Sequence, residues 1–288
     1  MTDEKKPLIG FIGQGFIGKN YADDFERRGY SVVRYSLEEV HRANKEKIKE
    51  CDIVFIAVPT PTTPEGFSYA PVEEVLSLVG IGKTAVIKST IIPGTTAYLQ
   101  NKYKDIHLLY SPEFLSEATA ATDAANPFSN IVSFAEDTLV KRQKAEEVLS
   151  VLPKAPYSKI CRSTEAEIIK YAHNASGYVQ IMLFNAMYDL ANSFKMDWSI
   201  IEEAIKADPY ISNRYAKPLH KSGRGAGGHC FIKDFSALSD LYKNRVGDKE
   251  GVAFLESAEA KNIKLLLSSG KDLDLLSAVY GKGVLENK

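Results

Sequence analysis

Apolar residues gather in short runs along the first half of this chain. The first is residues 8–12 (Leu-Ile-Gly-Phe-Ile), and others stand at 31–35, 53–57, 85–88, 107–110, 131–135 and 157–161. Short runs of this kind, closed by turn residues, predict strands. Between most of them apolar positions recur three and four apart, which predicts helices up to about Arg28 and over 37–50 and 138–151. The alternation predicts a doubly wound, mostly parallel α/β sheet over residues 1–162. After Arg162 the strand runs stop. Helical spacing fills 164–194, where Ser163 or Thr164 can cap the first turn, then 198–207 behind Asp197, then about 251–268. Asp208-Pro209-Tyr210 marks a turn, and residues 269–272 close the last helix. A smaller all-helical domain is therefore expected over 163–288.

Composition narrows the class. At 288 residues the chain is long enough for two domains. With 44% hydrophobic and 25% charged residues and a formal net charge of −1, it has no basic excess to suggest a nucleic-acid partner. Its three cysteines, Cys51, Cys161 and Cys230, are odd in number and far apart. That spacing fits a reducing compartment and offers no zinc site, so no metal is expected. The first residues are polar and lack the apolar stretch of a signal peptide. No run of about 18 apolar residues occurs, so no membrane contact is expected and a cytoplasmic location is.

Candidate chemistry begins at the end of the first strand. Gly13, Gly15 and Gly18 form GxGxxG between a strand and a helix, which reads as a dinucleotide site of the Rossmann type. The first glycine allows the turn, the second lets the backbone approach a pyrophosphate, and the third lets helix pack on strand. Phe16, Ile17 and Gly18 would offer their N–H groups to the diphosphate at the helix N-terminus. The second strand lacks the acidic residue that would hold the adenosine ribose; it carries Arg34, followed by Ser36. Arg34 can accommodate a 2′-phosphate or be a solvated surface residue, so NAD and NADP both stay open. Three loops follow strands at the carboxyl edge of the sheet, where ligands bind: residues 58–63 (with Val58, Pro59 and Thr60), 89–95 (with Thr90) and 111–117 (with Glu113, Phe114 and Leu115). Each alone is a plausible plain turn; together they favour a site.

The second half carries two further patterns. Lys170 and Asn174 stand at i and i+4, with Glu167 one turn earlier. A lysine and an amide on one helix face can hold a hydroxyl and a developing oxyanion, or the face can simply meet solvent. Residues 223–234 read Gly-Arg-Gly-Ala-Gly-Gly-His-Cys-Phe-Ile-Lys-Asp. The glycines clear an approach to Cys230, Lys233 supplies the positive charge that favours a thiolate, and Asp234 can orient a proton carrier. The plainer alternative is a turn with a buried structural cysteine.

Taken in order, residues 13–18, 58–61, 88–95, 111–117, 167–174 and 227–234 resemble the UDP-glucose/GDP-mannose dehydrogenase family, over roughly residues 7–270. The resemblance implies a double oxidation of a nucleotide sugar, UDP-glucose-like, from C6 alcohol to acid, with two NAD reduced per sugar. It implies that Cys230 attacks the C6 aldehyde to give a thiohemiacetal and then a thioester. Glu113 would activate the hydrolytic water, Thr90 and Asp234 would hold it or relay protons, and Lys170 and Asn174 would stabilise the oxygen at C6. Cofactor contacts would come from Gly13, Gly15, Phe16, Ile17, Gly18, Arg34, Val58, Pro59, Thr60, Thr90 and Lys233. Substrate contacts would come from Phe114, Leu115, Lys170, Asn174, Arg224 and Gly227. The helix from about Thr164 resembles the family's central helix, which implies a homodimer, although Ile181, Leu183 and Leu190 can equally pack within one chain.

Departures from the family pattern fall on binding residues. A third, C-terminal nucleotide-binding domain is common in the family, and this chain ends at Lys288, so the resemblance implies a short form. Ala226, Ser116 and Ala118 replace familiar neighbours of the motifs. Arg224 can bind a phosphate or be a solvated turn residue. Two other readings stand beside the first: a two-electron 3-hydroxyacid-type dehydrogenase using Lys170 and Asn174, with Cys230 structural, and a dinucleotide-binding partner without catalysis.

Overall fold

The computed structural model describes residues 6–286. In chain order the elements are β1 (Ile9–Ile12), α1 (Phe16–Arg27), β2 (Val32–Tyr35), α2 (Glu39–Arg42), β3 (Ile53–Ile56), β4 (Thr62–Thr63), β5 (Gly66–Phe67), α3 (Ala70–Leu76), β6 (Thr84–Ile87), α4 (Thr95–Lys102), β7 (His107–Tyr110), α5 (Ala120–Ala125), β8 (Ser129–Phe134), α6 (Leu139–Val151) and β9 (Tyr157–Arg162). Then follow α7 (Ser163–Ser193), α8 (Trp198–Ala207), β10 (Leu219–His220), β11 (Gly223–Arg224), α9 (Gly228–Arg245), α10 (Lys249–Ser269) and α11 (Leu273–Tyr280). The chain divides into two compact units: Met1–Thr60 with Ser68–Lys170, and Pro61–Phe67 with Tyr171–Lys288.

The first unit is a seven-stranded sheet ordered β2-β1-β3-β6-β7-β8-β9. All neighbours are parallel except β7 and β8. The chain builds outward from β1 first to β2, then reverses to β3 on the other side, so the crevice at the carboxyl ends of β1 and β3 is the switch point where such sheets bind ligands. The central strands are buried throughout, which is why they read as continuous apolar runs. Phe11 stacks on Phe55 at 5.1 Å between ring centroids, and Phe25 from α1 meets Phe11 edge-on at 5.6 Å, locking the first helix to the sheet.

The second unit is helical apart from two ribbons, β4–β5 and β10–β11, each of two-residue strands. The expectation of an all-helical region over 163–288 passed over β10–β11 because two residues cannot display a period, and β4–β5 lies outside that range. Its core stacks Tyr178 of α7 on Phe235 of α9 at 3.8 Å, with Met182, Leu255 and Leu265 around them. A second cluster joins Ile232, Leu266, Leu276 and Val279. Helices α9 and α11 were not expected, because α9 opens on glycines and α11 is only eight residues long. The helix expected over 37–50 is broken into α2 and a 3-10 turn over Lys45–Glu50. Only Ile48 of these two elements is buried, and the Asn44 side chain between them donates to Arg34 O at 3.0 Å. With so little apolar surface to bury, no continuous helix is stabilised there. Among the described residues no helix is long and apolar enough to cross a membrane.

Candidate active site

In the first unit the three glycines of the β1–α1 turn divide the work as their spacing predicts. Gly13 has φ +90°, and a Cβ there would lie 2.3 Å from Ala57 O. A Cβ on Gly18 would lie 1.9 Å from Gly13 O. Gly15 alone of the three faces open space, with nothing within 4 Å of where a Cβ would stand. Gly15 is also the N-cap of α1 and brings no capping side chain, and no acidic residue lies in the first turn. The first N–H groups of a helix lack intrahelical partners, so Phe16, Ile17 and Gly18 leave a positive helix end suited to a diphosphate. These residues fit a dinucleotide.

The second loop of this edge is tied to the third strand's loop. Thr60 Oγ1 donates to Thr90 O at 2.7 Å, and Ser89 Oγ donates to Val58 O at 2.6 Å. Val58, Pro59, Thr60 and Thr90 are thus gathered at one place, with Thr60 and Thr90 buried. Arg34 is neither solvated nor idle. Its guanidinium meets Asp23 Oδ1 and Glu26 Oε2 of α1, each at 2.7 Å, and those two carboxylates hold it charged against the cost of burial.

Glu113, Phe114, Leu115 and Lys170 also come together in this unit. Lys170 Nζ donates to Glu113 Oε1 at 3.0 Å and to Glu113 O at 2.7 Å, and both side chains are almost wholly buried. Leu115 N–H donates to Glu113 Oε2 at 2.8 Å, and Lys170 Nζ lies 5.5 Å from the centre of the Phe114 ring. Both carboxylate oxygens of Glu113 are thus engaged and oriented. Glu167, one turn before Lys170, accepts from Gly94 N–H at 2.6 Å and from Thr96 N–H at 2.9 Å, capping α4 and fixing the loop that carries Thr90.

Sequence reasoning gave no role to Lys88. Its amino group is wholly enclosed, donates to Ser111 Oγ at 3.1 Å and sits 4.5 Å from the centre of the Tyr21 ring. Burial pushes it down to about 7, against the opposing pull of Glu113. A lysine ending an apolar strand run was the available signal.

In the second unit Asn174, Lys233 and Asp234 form a chain of contacts. Asn174 Nδ2 donates to Asp234 Oδ2 at 2.7 Å, and Lys233 Nζ meets Asp234 Oδ1 at 2.5 Å. Thr62 Oγ1 donates to Lys233 O at 3.0 Å, seating the β4–β5 ribbon on α9. Lys170 and Asn174 are buried at 3% and 9% exposure, so the face they mark on α7 does not meet solvent. Cys230 is exposed, in the first turn of α9, behind the N-cap Gly227. It is therefore not a buried structural cysteine, whereas Cys51 is: burial drives the Cys51 thiol up to about 12. A helix N-terminus favours the thiolate form. Arg224 is engaged with α7 rather than being a solvated turn residue. It meets Asp189 Oδ1 at 2.6 Å, donates to Asn185 Oδ1 at 2.8 Å and lies 4.9 Å from the Tyr188 ring centre.

Comparison with known proteins agrees with the motif order. Residues 36–150 match the NAD binding domain of the UDP-glucose/GDP-mannose dehydrogenase family, and residues 164–264 match its central domain. The uncharacterized protein MJ1054 of Methanocaldococcus jannaschii is 31% identical over 314 residues, covering 93% of this chain and 34% of that protein. The putative UDP-glucose 6-dehydrogenase YtcA of Bacillus subtilis is 30% identical over 259 residues, covering 82% of this chain and 56% of that one. The chain thus spans about a third to about half of the length of these relatives. The structure of a UDP-glucose dehydrogenase from Pyrobaculum islandicum aligns with a TM-score of 0.78 at 22% identity, over 93% of this chain and 71% of that one, which shows a shared fold.

Proposed function

The chain belongs to the UDP-glucose/GDP-mannose dehydrogenase family, and on that premise we propose that it oxidises a UDP-glucose-like nucleotide sugar at C6 to the uronic acid, with two NAD reduced per sugar. In this reading residues 1–162 serve the cofactor and residues 163–288 serve the substrate and a homodimer contact. The diphosphate of NAD would rest on Gly13, Gly15 and the N–H groups of Phe16, Ile17 and Gly18, with Val58, Pro59, Thr60 and Thr90 beside it, and Arg34 and Lys233 as further contacts. When bound, NAD supplies the hydride acceptor for both oxidations.

This chain's own residues carry the remaining steps. Lys170 and Asn174 hold the C6 oxygen as its hydroxyl proton passes to water and a hydride leaves C6, so that the alcohol becomes an aldehyde. The Cys230 thiolate then adds to the aldehyde carbon, forming a C–S bond, and the oxygen takes a proton to give a thiohemiacetal. Loss of that proton and of a hydride from carbon leaves a thioester on Cys230. Glu113 takes a proton from water, aided by Thr90 and Asp234; the hydroxide adds to the thioester carbonyl, the C–S bond breaks, and the thiolate departs from the acid. Phe114, Leu115, Arg224 and Gly227 are assigned to holding the sugar nucleotide, Arg224 with its charge already shared with Asp189.

The observation that carries the reading is the setting of Cys230: an exposed thiol at a helix start behind a glycine loop, four residues before an Asp234 held by Asn174 and Lys233. A two-electron hydroxyacid oxidation has no use for that thiol. The deciding measurement is the reduced-cofactor yield per sugar with a panel of UDP- and GDP-sugars, in the wild type and in Cys230→Ser. Two equivalents from the wild type, with the variant stalled, is the expected result. One equivalent, unaffected by the substitution, would move the assignment to the two-electron oxidation. For the homodimer, support comes from apolar side chains left exposed along α7, among them Leu183 and Leu190.

A further inference from the structure

The glycine loop before Cys230 is held from outside by the end of α10 and the turn that follows it. Arg224 N–H donates to Ser269 Oγ at 3.1 Å, and Lys271 Nζ donates to Gly225 O at 2.9 Å. Asn262 accepts from Ala226 N–H at 2.7 Å and donates to Ala226 O at 3.0 Å. Asp272 Oδ2 accepts from Gly228 N–H at 2.7 Å. Four of five consecutive residues, 224 to 228, therefore have their backbone gripped by side chains some forty residues away in sequence.

Two features separate this arrangement from an ordinary connecting loop. Surface loops satisfy their backbone with water, whereas Asn262 and Lys271 are buried here at 1% and 5% exposure, which is costly unless each is paired. The glycines are also shaped to the clamp. A Cβ on Gly227 would lie 2.0 Å from Asp272 Oδ2, and one on Gly225 would lie 2.8 Å from Asn262 Oδ1. Gly227 is the N-cap of α9 and has no side chain to cap it, so Asp272 supplies the missing acceptor to the helix whose first turn carries Cys230.

We propose that Asp272, with Asn262 and Lys271, is a positioning residue for Cys230: it fixes the first turn of α9 and so where the thiol is presented. The proposal rests on the reading of Cys230 as the nucleophile. It extends the site to residues 271 and 272, beyond the stretch that matches the family's central domain.

Asp272 is the place to test it, since it is only partly buried and its own backbone sets a useful constraint. Its φ of +51° is left-handed, which glycine and asparagine accept and alanine does not. Asp272→Gly removes the carboxylate without strain, and Asp272→Asn keeps an oxygen acceptor. Amide hydrogen exchange over residues 225–230 is expected to rise by about tenfold or more in Asp272→Gly, with α7 unchanged, because a hydrogen bond to a charged group is lost. The kcat for sugar oxidation is expected to fall by a similar factor at unchanged KM for NAD, and Asp272→Asn is expected to recover both to within about threefold. Unchanged exchange in Asp272→Gly would overturn the clamp. A lowered melting temperature with unchanged kcat would make Asp272 a plain helix cap and overturn its role for Cys230. The exchange arm needs no turnover, while the wild-type NADH yield decides the reading on which the proposal rests, so the two failures are distinguishable.

Discussion

The amino group of Lys88 is wholly enclosed; its contacts are the Ser111 hydroxyl and the face of Tyr21. Burial, the largest influence, lowers it to about 7, while the unfolded chain would hold the proton to about 10.5. Below pH 7 both states are protonated and the folded state bears the full cost of an enclosed charge. Between about 7 and 10.5 the unfolded state binds more protons, so this group makes stability rise with pH. Lys88→Met, which keeps length and apolar bulk, is expected to be stabilised over the wild type below pH 7. That advantage should shrink by roughly 1.4 kcal/mol per pH unit above about pH 7. Urea midpoints of both proteins at about pH 6.5 and 9 check it; a constant difference would refute the titration. The glycines give a second test at this scale. Gly15→Ala adds a methyl in open space, so stability should move by less than about 0.5 kcal/mol while NAD binding weakens. Gly18→Ala drives its methyl into Gly13 O and should destabilise by several-fold more. Thermal melting with and without NAD separates the two. The geometry of the three glycines was legible in sequence because it is carried by residue type and spacing. Arg34 was not, because its capture by Asp23 and Glu26 depends on which way strand β2 faces helix α1.

Helix α4 begins at Gly94, in a left-handed conformation and without a capping side chain of its own. Glu167 of α7 supplies the cap by accepting two backbone N–H groups and the Thr96 hydroxyl, at 2.6 to 2.9 Å. One buried side chain thereby joins the loop of Thr90 to the helix of Lys170. Glu167→Ala leaves the buried Thr96 N–H and the partly buried Gly94 N–H without an acceptor and is expected to cost roughly 2–4 kcal/mol. Glu167→Gln keeps one acceptor oxygen and should lose clearly less; equal losses would mean that packing, and not capping, sets the cost. Chemical denaturation of the three proteins measures this. Such a cap is invisible in sequence, since its partners lie 71 and 73 residues apart. The strands of the main sheet were visible for the opposite reason. The central ones are each marked by a local apolar run, and only their order, with β8 antiparallel to β7, needed the structure. The break after α2 escaped because charged residues at helical spacing imitate a helix that has nothing to bury.

At the scale of the whole molecule, the change of hydrophobic period near Arg162 coincides with the start of α7 at Ser163, while the division between the two compact units falls after Lys170, within α7. What the period could not tell is which apolar residues of α7 turn inward. Tyr178 and Met182 enter the core of the second unit, and Phe184 joins Trp198 and Ala216 in another cluster. Leu183, Met187, Leu190 and Phe194, spaced by four, three and four along α7 and its C-terminal end, stay exposed, with Met196 and Ile200 exposed just beyond. Spacing of that kind puts the first four on one face. A continuous apolar stripe on a helix surface is unfavourable in water and is a candidate surface for association. A second copy of this chain is the expected occupant, since an isologous pairing lets the same stripe serve both sides. Leu183→Glu with Leu190→Glu then places like charges in the buried contact and should yield a monomer with unchanged helix content. Sedimentation equilibrium at micromolar concentration is the measurement, with circular dichroism as the control for folding. A wild type that already sediments as a monomer would refute the pairing. A dimer that survives both substitutions would place its interface on another face and leave the α7 stripe without its assigned role.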